Sequence, residues 1–349
     1  MRLLYQVSVL SMLVLASGSS VRAENISIQG VGATFPAPLY AKWIFQYNST
    51  HANVKLDYQA LGSGAGIKQI TERIAQFGGT DGPMTDEQLK DAPAKILHIP
   101  MVAGPEVMVY NLPDIKELKL SGEAVAEIYL GRITKWNDPK LTALNPGVNL
   151  PEKDIVVAHR SDGSGTTWIF TNFLCKVSPD WKNRVKNATS VKWPIGIGGK
   201  GNDGVAKVVQ TTEGGIGYVE LAYAEQSHLQ YASQINKAGK VVRASIDGVV
   251  AAQKYITEFP DDMRVSITDE PGDDSYPISG YTYLLIYQDL SYLKNKDQVT
   301  ELMNYVNWCV HEGQEMAKEL NFAPLPDEVQ KKVEAELKTV VFDGQPVLK

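Results

Sequence analysis

Short apolar runs alternate with stretches of helical periodicity from Ile26 onward. The runs Ile26–Gln29, Asn53–Tyr58, Ile96–Met101, Glu106–Asn111, Asp154–His159, Gly215–Val219 and Tyr281–Tyr287 predict strands. Helical spacing predicts helices at Leu39–Tyr47, Gly66–Ala75, Gly122–Leu130, Leu141–Leu144, Thr166–Leu174, Asp203–Thr212 and Asp247–Phe259. This strand–helix alternation argues for an α/β protein with parallel-type sheets covered by helices on both faces. Asp269–Asp274 is a polar break with turn chemistry. Beyond it, Gln298–Glu312 and Val329–Leu337 read as closing helices with no strands of their own to cover. They are expected to return to the first lobe, making it discontinuous. Ligands of open α/β sheets bind beyond the carboxyl ends of the strands, often between lobes.

The first 23 residues stand outside this pattern. Arg2, the apolar run Val7–Leu15 and the ending Val21-Arg22-Ala23 predict a signal peptide cleaved after Ala23. Without Arg2 and Arg22 the net charge moves from −6 to −8. An acidic chain with no basic run is a poor partner for nucleic acid. The length predicts two domains with real cores. Cys175 and Cys309 lie in apolar helical stretches, which favours buried free thiols, with a disulfide the alternative in an exported protein.

Three segments share one design. Gly30–Pro36, Leu61–Gly66 and Arg160–Thr166 each follow a predicted strand and open a predicted helix. A helix start leaves backbone N–H groups unpaired and carries partial positive charge, so such turns suit oxyanions. Thr34, Ser63, Ser164 and Thr166 add hydroxyls, and Arg160 adds a planar fork of donors. Ordinary helix capping is the other reading of Ser164 and Thr166. In Phe77–Met84, Asp81 is either a turn cap or a selector. An ionised carboxylate only accepts hydrogen bonds, so it repels an anion unless that anion brings a proton. Phosphate brings one near neutral pH and sulfate does not, a difference worth about 10⁴-fold or more.

Together these segments resemble the periplasmic phosphate-binding proteins of bacterial phosphate ABC transporters. The resemblance rests on Gly32–Trp43, Ile67–Ile70, Phe77–Pro83, Ile128–Pro139, Arg160–Thr166, Lys192–Gly204 and Gly214–Glu220, in the family's order. It implies a two-lobed periplasmic-binding-protein fold of type II, with hinge strands and an interlobe ligand cleft. The lobes would be residues 24–107 with 281–349, and 108–280. It implies phosphate ligands at Thr34, Phe35 (through its backbone N–H), Ser63, Asp81, Arg160, Ser164, Gly165 and Thr166. Asp162 would hold the arginine, and Asp81 would accept the phosphate proton. The implied protein is a periplasmic monomer with no cofactor that docks on permease subunits. Gly64, Thr80 and His159 depart from residues that occur in the family at those positions, which bears on affinity more than on identity.

A hydrolase is the rival from another class. Ser63 and Ser164 sit in glycine-flanked turns but lack the G-x-S-x-G spacing. The five histidines show no metal-ligand spacing. Gly198–Gly204 fails as a phosphate-binding P-loop, because Gly201 stands where serine or threonine must follow Lys200. Within the binding class, a receptor for sulfate or another oxyanion is the alternative, and Asp81 discriminates.

Overall fold

The computed structural model describes residues 25–348; the leader expected at residues 1–23, with its cleavage site, lies outside them. The strands β1 (Ile26–Gly32), β2 (Val54–Gln59), β3 (Phe77–Thr80) and β4 (Ile96–Tyr110) build the first half, with helices α1 (Ala37–Thr50) and α2 (Ser63–Thr71) between them. β1 pairs in parallel with both β2 and β3. In the second half Val156–Arg160 pairs in parallel with Gly215–Glu220 and Ile197–Gly199. Each parallel set therefore ends its strands on one side, and the turns that follow face a common cleft.

Two long strands join the halves, and they are antiparallel, which the alternation alone does not predict. Ser279–Tyr287 pairs with β3 on one side and with Ile96–Pro105 of β4 on the other. From Glu106 onward β4 changes partner and pairs with Gly215–Glu220. The segments Ile96–Met101 and Glu106–Asn111, expected as two strands, form one strand that runs unbroken through Pro100 and Pro105. Proline cannot donate to a ladder. The fold accommodates both: register slips between Thr282 and Tyr283, opposite Pro100–Val102, and the partner changes at Pro105.

All fifteen residues of β4 and all nine of Ser279–Tyr287 are buried, as expected for strands covered on both faces. Trp43, Trp136 and Trp181 anchor the helices on either side. Each such side chain withdrawn from water contributes about 1.5–3 kcal/mol or more. The helix Lys296–Val310 returns to the first half, where Tyr305 packs on Phe77 and Tyr47. Cys309 is buried there and Cys175 half-buried on Gly165–Val177; both are free thiols.

Local boundaries differ in ways that matter at the site. α2 begins at Ser63 rather than Gly66, so Ser63 opens the helix. Phe77–Thr80, expected as part of a turn, is a central strand, and Asp81 follows its end. It is sterically obliged to be small: a Cβ on Gly79 would lie 2.3 Å from the Tyr58 hydroxyl, which donates to Ala33 O at 2.9 Å. Ile246–Gln253 stops short of the expected Phe259.

Candidate functional site

Each expected site residue stands at or just beyond a strand end. Thr34 and Phe35 follow β1, Ser63 opens α2, and Asp81 follows β3. Arg160 ends its strand, and Ser164, Gly165 and Thr166 begin the helix Gly165–Val177. All eight are buried, and hydrogen bonds join Ser63, Asp81 and Gly165 in one set and Arg160, Thr166 and, through Asn202, Thr34 in another. The Phe35 ring packs into the core against Phe322 at 5.8 Å, leaving only its backbone for the cleft.

Ser63 and Gly165 meet across the cleft. The Gly165 N–H donates to Ser63 Oγ at 2.9 Å, and the Asp81 N–H donates to the same oxygen at 3.3 Å. Ser63 in turn faces Asp81 Oδ2 at 3.5 Å. A Cβ on Gly165 would lie 2.5 Å from the backbone N of Asp81, so only glycine permits this approach. Nearby, Gly64 N–H donates to Gly163 O at 2.9 Å. These contacts describe a closed cleft. The open grooves of the surface lie elsewhere, one of about 650 Å³ running between Gln253–Phe259 and Pro324–Lys332.

Ser164 is the N-cap of its helix, accepting from Thr167 N–H at 3.0 Å. The capping and ligand readings are compatible, because the hydroxyl that accepts there keeps its own proton to donate. Arg160 is held by a bidentate pair, Nε to Asp162 Oδ1 at 2.8 Å and Nη2 to Oδ2 at 2.5 Å. Its Nη1 donates to Thr166 Oγ1 at 3.2 Å. Burial pushes the Asp162 carboxyl up, but the Arg160 fork and the Gly201 N–H outweigh it and hold it below its ordinary value. Asp162 therefore fixes the arginine and neutralises most of its charge. The site is built of dipoles around one paired cation.

Asp81 stands apart. Burial pushes its carboxyl up to about 7, against the downward pull of the Thr282 hydroxyl, Arg160 and Ser63. The protonated form thus comes within reach of neutral pH, a departure from the fully charged carboxylate expected there. Thr282 Oγ1 donates to Asp81 Oδ1 at 2.7 Å. The register slip beside Thr282 is the kind of bulge that re-aims a side chain next to a site.

Three further residues join the cluster, of which only Asn202 lies in a segment, Gly198–Gly204, for which a cleft-lining role could be expected. Thr282 is one of the three, the single threonine in a stretch of aromatic and aliphatic residues, Tyr281–Tyr287. Asn202, inside the glycine-rich turn, donates through Nδ2 to Thr34 Oγ1 at 2.8 Å and to Thr166 Oγ1 at 3.1 Å. Tyr223 donates its hydroxyl to Thr34 O at 2.6 Å, and nothing local in the sequence marks it.

Two further glutamates stand where β4 changes partner: Glu106 lies opposite Glu220 in the ladder. Both are fully buried, and burial pushes both well above the ordinary glutamate value. Neither carboxyl oxygen of Glu106 has a hydrogen-bond partner among the described residues.

Neither serine is hydrogen-bonded to a histidine among the described residues. Ser63 faces Asp81 and Gly165, while His159 turns its Nδ1 to Arg160 O at 3.0 Å and stacks on Trp193.

The two halves, their crossing strands and the cleft between them define a two-lobed solute-binding protein, and residues 17–310 match the PBP superfamily domain. The chain is 44% identical over 332 residues to phosphate-binding protein PstS of Pasteurella multocida, covering 94% of each. It is 44% identical over 329 residues to the protein of the same name from Haemophilus influenzae, covering 93% of this chain and 97% of that one. It is similar in fold to an ABC-type phosphate transport receptor from Vibrio cholerae, with a TM-score of 0.56 at 18% identity, over 86% of this chain and all of that one. The chain belongs to the PstS family of phosphate-binding proteins.

Proposed function

We infer that this protein captures inorganic phosphate outside the cytoplasm and delivers it to the permease subunits of a phosphate ABC transporter. The observation that carries this reading is Asp81: one buried carboxyl among hydroxyls, helix-start N–H groups and a paired arginine. Such a site gives a single place for a ligand proton and many donors for bare oxygens. The ligands are Thr34, Phe35, Ser63, Asp81, Arg160, Ser164, Gly165 and Thr166, with Asp162 in support. The lobes are residues 24–107 with 281–349, and 108–280, and the change of partner at Glu106 supports a hinge there. Capture works by closure, because each lobe supplies part of the donor set. It acts by binding, the role for which its phosphate-binding relatives are named. It acts as a periplasmic monomer after cleavage behind Ala23.

Isothermal titration of residues 24–349 with phosphate, sulfate and arsenate at pH 8 tests this reading. Tight phosphate binding with sulfate far weaker is expected. No phosphate heat, or sulfate binding as tightly as phosphate, overturns it.

A further inference from the structure

We propose that Asn202 sets the hydrogen-bond polarity of Thr34 and Thr166, turning both hydroxyls into obligatory donors to the anion. A hydroxyl has one proton to give and two lone pairs to fill. Thr34 Oγ1 accepts from Asn202 Nδ2 at 2.8 Å and from the Asn202 N–H at 3.3 Å. Thr166 Oγ1 accepts from Asn202 Nδ2 at 3.1 Å and from Arg160 Nη1 at 3.2 Å. Both oxygens have their accepting capacity filled, and neither hydroxyl donates to a protein acceptor among the described residues. Each proton is left to point into the cleft.

The orientation of the amide is what makes this work, and the backbone fixes it. Glu220 N–H, which can only donate, gives its proton to Asn202 Oδ1 at 2.9 Å. The NH₂ end must then face the two threonines. Asn202 is fully buried, so no water competes.

The arrangement crosses the lobes: Asn202 opens the helix Gly201–Thr211 in one half and Thr34 follows β1 in the other. Closure therefore brings Thr34 under the control of Asn202. A ligand proton finds no acceptor at either threonine, which leaves Asp81 as the place for it. Asn202 is a positioning residue that confers selectivity for the ligand's protonation state. This rests on the phosphate reading given above.

Neutron diffraction from the phosphate complex of the deuterated wild-type protein reads the hydrogens directly. Deuterons on Thr34 Oγ1 and Thr166 Oγ1 aimed at phosphate oxygens, with Asn202 Nδ2 facing both, are the expected result. A threonine deuteron aimed at Asn202, or a reversed amide, overturns the proposal while leaving phosphate binding intact. Calorimetry supplies a second arm. Asn202→Leu, similar in size but unable to donate, is expected to weaken phosphate by about 10- to 100-fold. In a Thr34→Val, Thr166→Val background the same change should cost nothing further. Equal losses in both backgrounds would mean that Asn202 acts by packing alone, and would overturn the proposal. A wild-type protein that does not bind phosphate would overturn the underlying reading and this inference with it.

Discussion

Sulfate is the sharpest probe of the cleft, because it carries no proton of its own across the pH range in which Asp81 titrates. It can enter only while the Asp81 carboxyl is itself protonated and able to donate. Burial raises that carboxyl to about 7, so the protonated form is full below 7 and is lost as pH rises through it. At pH 5 about 99% of the carboxyls hold a proton and at pH 9 about 1%, which is roughly 100-fold or 2.7 kcal/mol in sulfate affinity. Phosphate brings its own proton at the upper end, so its affinity persists there. Selectivity for phosphate over sulfate should therefore widen about tenfold per pH unit above 7 and narrow below it. Titration calorimetry with sulfate from pH 5 to pH 9 measures this directly. Asp81→Asn, neutral at every pH and able to donate, should bind sulfate with a flat profile at the level of the wild type at low pH. A wild-type sulfate affinity that stays constant from pH 5 to pH 9 would refute the reasoning, and so would an equal pH dependence in Asp81→Asn.

Other elements of the cleft give equally direct outcomes. Thr282→Val removes the 2.7 Å hydrogen bond to Asp81 Oδ1. A bond to a charged group is worth about 1.5–3 kcal/mol, so phosphate should weaken about 10- to 100-fold at pH 8, with the sulfate midpoint moving above that of the wild type. Gly165→Ala places a methyl 2.5 Å from the Asp81 backbone, which overpacks the closed state by about 1–3 kcal/mol. Its unfolding temperature without phosphate should match the wild type, while phosphate-induced compaction in small-angle scattering should be reduced or lost. Glu106→Gln should raise the unfolding temperature at pH 8 by a few degrees, at about 2–4 °C per kcal/mol. The sign follows from burial: the folded carboxyl is raised above its ordinary value of 4.5, so its stability is complete below that pH and falls as pH rises. The variant's advantage should vanish at pH 4, and thermal melts across this range check it.

What was legible in the chain was local. A strand, a glycine-rich turn and a helix start lie within about ten residues of each other, so Thr34, Ser63 and Arg160–Thr166 could be grouped from spacing alone. Asp81 was legible through its chemistry, as a carboxylate among anion-type turns, although its strand was not: F-G-G-T has the composition of a turn, and only packing against Tyr58 and Ile70 explains why a central strand is made of such small residues. The joining of Ile96–Met101 and Glu106–Asn111 into one strand was not legible for the opposite reason. Pro100 and Pro105 signal a break in any isolated strand, and what tolerates them here is a register slip and a change of partner supplied by segments far away in sequence.

The residues that escaped share that property. Thr282 reaches Asp81 across 201 positions, and Asn202 reaches Thr34 across 168. Neither belongs to an anion-binding motif, because their role is to decide what the motif residues do: Thr282 holds the ionised form of Asp81 within reach of neutral pH, and Asn202 leaves two threonines with nothing to offer but protons. The turns make a site for oxyanions in general. Discrimination among tetrahedral oxyanions of equal shape comes from which ligand oxygen is allowed a hydrogen, and long-range register sets that. A chain could therefore keep every one of its strand–turn–helix signals, lose Thr282 or Asn202, and still hold an anion while distinguishing phosphate from sulfate less sharply.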